Sequence, residues 1–499
     1  LSISLLLEMA VSSDPDRLAV VSGDLRLTSG QLSELADGGA SVIAASGAEH
    51  VVYVGTGGVY LPLLMFSSAR AGVAFTPLNY RLSAEGVMSL IGRLPNPLLI
   101  VDSRYRDMVA GTARQVIDAQ EFLAAARTVE PAVGFPDPEG VAVVLFTSGT
   151  TARPKAVELS HNNLTSYITG TVEFDSAEAG DVALICVPPY HIAGVGAALS
   201  NLYAGRKMVY LPSFDAHEWV RLIGEEGITT ATVVPTMLDR IVTVLERDKV
   251  ELPTLRNLAY GGSKVGLPLV RKALELLPDV GFVNAYGLTE TSSTIAVLTP
   301  DDHRNALGVA DAAVAKRLGS VGRPVPGIEV QIRDDDGNVV GPGEAGELYV
   351  RGEQVSGRYT GVGSVLDAQG WFATKDIATL DAEGYLFITG RSDDTIIRGG
   401  ENIAPAELED VLIEHPDVHE VAVVGVEDPQ WGQSIVAVVV PVAGITPDRE
   451  ELREHVRKSL RGSRTPDQVV FRDQLPTNGT GKILRRELAE GLRPATAER

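Results

Sequence analysis

The chain has 499 residues, 44% hydrophobic and 22% charged, with a formal net charge of −22, which describes a folded protein of about two to four domains. The acidic balance argues against a general nucleic-acid or anionic-membrane binder. No apolar run reaches the ~18 residues of a membrane span, and the single cysteine, Cys186, excludes an internal disulfide or a Cys-rich metal site.

A reducing cytoplasm fits one cysteine, and Cys186 itself reads as a small buried hydrophobe. The first ten residues are apolar but carry neither a basic start nor a clear cleavage site, so no signal peptide is expected; the absent initiator Met suggests trimming. Residues 1–140 alternate strands and helices. Residues 51–54 and 98–101 are short apolar strands, 61–71 a helix, and 131–140 a Pro/Gly-rich connector. Next comes an apolar run, 141–146, then a polar loop, then a β-like Ala-Val-Glu-Leu-Ser. The loop packs Thr147, Ser148, Gly149, Thr150, Thr151 and Lys155 into nine positions. Hydroxyls and loop amides suit a phosphate nest with Lys155 as point charge; a solvated hairpin loop has the same composition. It is not a Walker A loop, because no Gly-Lys-Ser/Thr follows at the needed spacing.

Strands are predicted at 182–187, 208–211, 229–234, 257–260 and 282–285, with helices at 237–246 and 267–277 between them, an α/β pattern with largely parallel sheets. Near residue 320 the texture changes to short strands at 328–333, 346–351 and 385–388 with Asp/Gly turns, a β-rich subdomain over about 320–390. Beyond it, a helix at 405–413, strands at 418–425 and 436–440 and a helix at 449–460 make a compact α+β unit.

Several blocks carry chemistry. In Tyr286-Gly-Leu-Thr-Glu-Thr an aromatic at a strand end can stack on a purine, and Thr289 and Glu290 offer oxygen to phosphate and Mg²⁺; a Gly turn with a helix cap reads equally well. Gly261-Gly262-Ser263 is either a ligand wall or a tight turn. Asp376, placed at a strand end, can accept from two ribose hydroxyls, or is a turn Asp. Ser392-Asp393-Asp394 is a solvated turn compatible with a hinge. Gly399-Gly400 permits close backbone approach, and Lys482 stands in a Gly-Thr-Gly-Lys loop.

Five ordered blocks together resemble the adenylate-forming enzymes: acyl-CoA synthetases, luciferases and peptide-synthetase adenylation domains. They are Phe146-Thr-Ser-Gly-Thr-Thr-Ala-Arg-Pro-Lys, the Tyr286 block, Trp371-Phe-Ala-Thr-Lys-Asp, Gly390-Arg-Ser-Asp-Asp with Gly399-Gly-Glu-Asn-Ile-Ala-Pro-Ala-Glu-Leu-Glu, and Pro476-Thr-Asn-Gly-Thr-Gly-Lys. The resemblance spans essentially the whole chain. It implies a large N-terminal domain, 1–391, of two αβ-layered sheets with the β-rich subdomain, and a small mobile α+β domain, 392–499, turning about Asp393. It implies ATP, Mg²⁺ and CoA as the small molecules used. ATP or AMP would be held by Thr147, Ser148, Gly149, Thr150, Thr151, Lys155, Gly261, Gly262, Ser263, Asn284, Ala285, Tyr286, Gly287, Thr289, Asp376, Ile388, Arg391 and Lys482. Within that set Tyr286 stacks on adenine, Asp376 holds the ribose with Arg391 nearby, and Lys482 contacts the carboxylate and the α-phosphate. Glu290 would hold Mg²⁺, and Lys482, Glu290, Thr147 and Lys155 would be the catalytic set. Gly399, Gly400 and Glu401 would line the CoA tunnel. The acyl pocket would use His191, Ala193, Gly194, Val195, Gly261 and Asn284.

Small apolar residues after His191 predict an apolar acid, with Lys264 as the one cation available to a second carboxylate. Ala152, Ala156 and Lys375 stand where that family mostly has Gly, and a residue forced to φ > 0 is strained by about 1 kcal/mol. The implied activity is an acid–CoA ligase. Its rivals are an acyl-AMP ligase loading an acyl carrier protein, disfavoured by the compact run from Arg323 to Trp371, and a non-catalytic nucleotide- or acyl-binding regulator, disfavoured by the retained Lys482, Glu290 and Asp376. A serine hydrolase lacks its Gly-x-Ser-x-Gly elbow. A cytoplasmic monomer or homodimer, with no nucleic-acid or integral-membrane partner, is expected.

Overall fold

In the computed structural model, which describes residues 1–131, 137–147, 154–460, 462–478 and 481–492, two open sheets carry the N-terminal domain. The first runs in the order Arg323–Pro324, Ser293–Leu298, Gly281–Leu288, Asn257–Gly261, Thr230–Val233, Val182–Ile185, Lys207–Tyr210, Leu18–Ser22 and Leu25–Thr28. Its neighbours from Gly281–Leu288 to Leu18–Ser22 pair in parallel. Parallel neighbours need long crossovers, and helices supply them. In the second sheet Pro97–Val101, His50–Val54, Ala74–Leu78 and Val141–Thr147 are also parallel. The continuous apolar runs at 51–54 and 98–101 are what strands covered on both faces require, and both strands are buried throughout.

The helices close these faces by their spacing. Pro235–Asp248 starts with a proline in its first turn, where no backbone donor is lost. It turns Met237, Leu238, Ile241, Val242, Val244 and Leu245 inward, each worth about 1.5–3 kcal/mol of buried apolar surface. At His161–Thr171, Ser160 Oγ accepts from the Asn163 amide at 3.0 Å while Asn163 Oδ1 accepts from the Ser160 amide at 3.1 Å. This reciprocal cap fixes the point where the strand Lys155–Ser160 ends and the helix begins.

Glu329–Arg333, Gly346–Arg351, Phe372–Leu380 and Leu386–Arg391 form an antiparallel sheet over its own core of Ile332, Leu348, Val350 and Phe372. The small C-terminal domain has another core, Ile396, Leu408, Val423, Ala437 and Val456, under Val418–Asp428, Gly432–Pro441 and Gln468–Phe471. Among the described residues no helix is long and apolar enough to cross a membrane.

Three local expectations are corrected. Tyr286 and Asp376 are interior to their strands, not at strand ends. Gly281–Leu288 outruns its parallel partner by pairing antiparallel with Ser293–Leu298, and Asp376 pairs with Arg391 across the four-stranded sheet. Ala156 is unstrained: it pairs with Phe146 in a regular antiparallel ladder and is absent from the left-handed residues. Ala152 lies outside the described residues.

Lys375 is where the strain falls. Its φ is +66°, a conformation that costs an L-residue with a Cβ about 1–2 kcal/mol. Its amide is fixed there by donating to Glu347 Oε1 at 3.0 Å. Lys375→Gly is therefore expected to stabilise the N-terminal domain by about 1 kcal/mol, read as a higher midpoint in urea. An unchanged or lower midpoint would show that the turn carries no strain.

Candidate active site

Ligands of open parallel sheets gather beyond the carboxyl ends of the strands. A cleft of about 1800 Å³ opens there, walled also by the four-stranded sheet and the C-terminal domain. The antiparallel hairpin of Val141–Thr147 and Lys155–Ser160 sets Thr147 opposite Lys155, and both line the cleft. Ser148, Gly149, Thr150 and Thr151 lie outside the described residues. Lys155 Nζ sits 5.2 Å from the centre of the Tyr359 ring, a cation–π distance. Tyr359 Oη donates to Glu290 Oε1 at 2.9 Å, so one side chain positions both charged groups. Burial, reinforced by the Glu290 charge, pushes the Tyr359 hydroxyl pKa up and keeps it a donor.

Tyr359 is absent from the sequence-predicted set. It arrives on a two-residue strand, Arg358–Tyr359, pairing with Val157. Arg358 and Thr360 anchor that strand by donating to the two carboxylate oxygens of Glu158, each at 2.9 Å. Two residues have no periodicity to read.

Asp376 is 5% exposed. It accepts from Arg391 Nη1 at 3.1 Å and from the Tyr286 hydroxyl. Burial raises its pKa, and the Arg391 charge opposes the shift. Arg391 Nε is buried without a hydrogen-bond partner among the described residues, an orphaned donor of the kind a bound ligand satisfies. Gly261, Gly262, Ser263, Asn284, Ala285, Gly287, Thr289 and Ile388 also line the cleft. At Gly261 a Cβ would lie 2.2 Å from the Ala285 carbonyl oxygen, and Gly262 has φ +90°. The tight turn and the cleft wall are thus one feature.

Lys482 reaches the same cleft from the C-terminal domain. Its amide donates to Asn478 Oδ1 at 2.9 Å. Gly481, at φ +77°, rests against Thr236, whose Oγ1 would be 2.8 Å from any added Cβ. Burial first, and then repulsion by Arg391, lower the Lys482 pKa. Lys155, Arg391 and Lys482 bring positive charge to this cleft, beside the carboxylates of Glu290, Asp376 and Asp394.

His191 lines the cleft, and burial, with the nearby Lys482 charge second, lowers its pKa to about 4. It is therefore a neutral imidazole near neutral pH. Ala193 lines the cleft too, but Gly194 and Val195 do not. Val195 is fully buried in the core, and Gly194 packs on the Pro188 carbonyl, 2.5 Å from where a Cβ would sit. One and two positions on from Ala193, a helix has turned away by ~100° and ~200°.

Lys264 is already engaged, with Nζ 2.7 Å from Asp410 Oδ2 of the C-terminal domain. Asp393, in the turn Ser392–Asp394, lines the cleft. Gly399, Gly400 and Glu401 lie outside it, on the hairpin of Ile396–Arg398 and Glu401–Ile403. There the Gly399 amide donates to the Trp431 carbonyl at 2.8 Å, and Glu401 pairs with Arg464 at 3.3 Å.

Parallel sheets ending on a cleft where Lys155, Arg391 and Lys482 meet Glu290 and Asp376 define a protein built to handle a phosphorylated ligand. Residues 7–360 match the family model of the AMP-binding enzymes, and residues 407–482 match that of the AMP-binding enzyme C-terminal domain. The chain is 33% identical to an indoleacetate–CoA ligase of Aromatoleum aromaticum over 94% of either chain. It is 32% identical to the fatty acid–[acyl-carrier-protein] ligase ScoC of Streptomyces coeruleorubidus, over 96% of this chain and 94% of that one. ATP-bound MatB of Rhodopseudomonas palustris superposes with a TM-score of 0.88 at 26% identity, covering 98% and 99%. The chain belongs to the adenylate-forming, AMP-binding enzyme family, and it is an AMP-forming acid–thiol ligase.

Proposed function

We propose that the chain is an ATP-dependent acid–CoA ligase that activates a carboxylic acid with an apolar body. The supporting observation is the convergence of Lys155, Arg391, Lys482, Asp376 and Glu290, far apart in sequence, on one cleft. In this reading adenine lies between Tyr286 and the Gly261–Gly262–Ser263 turn. Asp376 accepts from the ribose hydroxyls, and Lys155 with the hydroxyl loop takes the outer phosphates. Glu290 fits a hard cation: Oε1 is oriented by Tyr359, and Oε2 has no hydrogen-bond donor among the described residues. Mg²⁺ bound there would neutralise phosphate charge.

An oxygen of the acid's carboxylate attacks the α-phosphorus. The new P–O bond forms as the bond to the β-phosphate oxygen breaks, and pyrophosphate leaves. Lys482, with its lowered pKa, is a compact cation in a water-poor site where charge grows at the α-phosphate. Neutral His191 adds no charge to the acid's path. The CoA thiolate then attacks the acyl carbon, and AMP leaves with the shared oxygen.

We place the boundary between the domains at 391/392, with Asp393 as hinge. The second step would bring the Gly399–Gly400 loop to the cleft as Lys482 withdraws, a hinge-type switch. The ion pairs crossing this boundary are exposed: Lys264–Asp410 at 2.7 Å, Arg271–Glu414 at 3.0 Å and His419–Asp239 at 3.4 Å, beside close packing of Gly481 on Thr236 and of Ile413 on Gly266. Exposed pairs contribute little each, so reorientation is cheap. His419 also titrates. Its bond to Asp239 raises its pKa against the opposing effect of burial, with Glu420 beside it. The ion pair holds below the raised value and is lost as the imidazole gives up its proton with rising pH, while Asp239 keeps its charge. Energy transfer between labels on the two domains is thus expected to hold below the ordinary histidine value of about 6.5 and to fall as pH rises above it, and His419→Gln to flatten that change. An unaltered pH response in His419→Gln would exclude the pair.

A carrier protein as acceptor is the second reading. It is favoured by the alignment with ScoC over 94% of that protein's length, so the compact run between Arg323 and Trp371 does not separate the acceptors. The experiment is thioester formation from hexanoate, benzoate and longer acids with CoA or with a carrier protein. The first reading expects acyl-CoA and AMP in equal amounts. Acyl-AMP accumulating without any CoA thioester would overturn it.

A further inference from the structure

Beyond the adenylating groups the cleft continues as an inner arm whose walls follow from strand register. In Val182–Ile185, Thr230–Val233, Asn257–Gly261 and Gly281–Leu288 alternate side chains face opposite sides. Leu184, Ala231, Val233, Leu258 and Phe282 pack into the core with the helix Pro235–Asp248. The opposite face carries Ile185, Thr232, Ala259 and Val283 side by side. Ala183 and Thr230 form the next layer, two residues toward the amino ends.

Facing them is the helix Ile192–Ala204. Ala193, Ala197, Ser200 and Asn201 have the i, i+4, i+7, i+8 spacing of one helix face. They are only half-buried, whereas every other residue of that helix is buried. All line the same cleft as His191 and Lys482. The arm runs between these two walls, small on the helix side and mixed Ile, Thr, Ala and Val on the sheet side. From Ala193 to Asn201 the helix face runs about 12 Å, and the two strand layers, two residues apart, face ~6.6 Å of it. A zigzag chain of ~1.5 Å bonds advances about 1.25 Å per bond, so roughly ten carbons fit.

The far end differs in chemistry. Ser200, Asn201 and Arg206 line it. Arg206 Nη1 approaches Asn201 Oδ1 at 3.5 Å, and no ion pair engages Arg206 among the described residues. The planar fork of this guanidinium suits a carboxylate.

We propose that this arm takes an extended dicarboxylic acid of about ten carbons: one carboxylate is activated, the chain lies along the arm past Ala193 and Ala197, and the second carboxylate is bound by Arg206, whose guanidinium Asn201 Oδ1 faces while Asn201 Nδ2 donates to the Ala197 carbonyl at 2.9 Å. This rests on the acid–CoA ligase reading and narrows it. It also corrects the expectation that Lys264 alone could serve a second carboxylate, since Lys264 is held by Asp410.

The test is kcat/KM for acid-dependent pyrophosphate release with hexanoate, decanoate, 10-hydroxydecanoate, decanedioate and benzoate, in the wild type, Arg206→Leu, Arg206→Lys and Ala197→Phe. Decanedioate is expected to exceed decanoate by about tenfold or more. Arg206→Leu should erase that ratio, and Arg206→Lys should keep part of it. Ala197→Phe, which fills the channel, should lower the ratio of ten-carbon to six-carbon acids by about tenfold. Decanoate or 10-hydroxydecanoate matching decanedioate, or a ratio indifferent to Arg206→Leu, overturns the proposal. Release with hexanoate alone overturns the channel but leaves the ligase reading standing. Release with no acid at all, benzoate included, overturns both.

Discussion

Lys482→Ala is expected to slow acyl-adenylate formation by about 10²–10³-fold, the usual loss when one preorganised charge donor is removed from a transition state, while thioester formation from preformed acyl-AMP keeps most of its rate. The asymmetry follows from where the lysine sits. It belongs to the C-terminal domain, yet its loop is seated on Thr236 of the N-terminal domain, beside Arg391 and Asp376. The Gly399–Gly400 hairpin of the same domain faces away from the cleft. One orientation therefore presents the adenylating lysine and withholds the glycine loop. Burial lowers the Lys482 pKa, so the ammonium loses its proton below the ordinary lysine range. Adenylation should then decline on the alkaline side before an exposed lysine would titrate. Equal loss of both half-reactions in Lys482→Ala would contradict a lysine that serves only the first.

Asp376→Ala is expected to raise the KM for ATP by about 10–100-fold, because hydrogen bonds to a charged acceptor are worth ~1.5–3 kcal/mol each. The carboxylate is buried, and Arg391 and the Tyr286 hydroxyl hold it in place. Its removal leaves Arg391 with two unsatisfied nitrogens in the cleft. Asp376→Asn, which keeps the shape and loses the charge, should fall between the two. A KM for ATP unchanged in Asp376→Ala would remove this residue from the ribose site.

Much of this was legible in the sequence because it rests on local patterns. The apolar runs at 51–54 and 98–101 announce buried parallel strands. The hydroxyl loop between two β-like runs announces the hairpin that sets Thr147 against Lys155. What sequence reading missed depends on contacts between distant segments. Tyr359 reaches Glu290 only because a two-residue strand docks on Val157. Lys264 looked like a free cation beside the pocket, and a residue 146 positions away neutralises it. Arg206 joins the far end of the cleft through the turn after a helix, where no motif marks it. Gly194 and Val195 failed as pocket residues because composition near His191 does not say which helix face is turned to the cleft. Lys375 and Ala156 looked like equivalent anomalies, but only the former has a left-handed backbone.

Acid-dependent exchange of labelled pyrophosphate into ATP, measured without CoA, tests the adenylating cleft most directly. Exchange should require a carboxylic acid and Mg²⁺, proceed without CoA and fall by about 10²–10³-fold in Lys482→Ala. ATP binding without acid-dependent exchange, across acids from hexanoate and benzoate to decanedioate, would contradict the account and leave a nucleotide-binding regulator in its place.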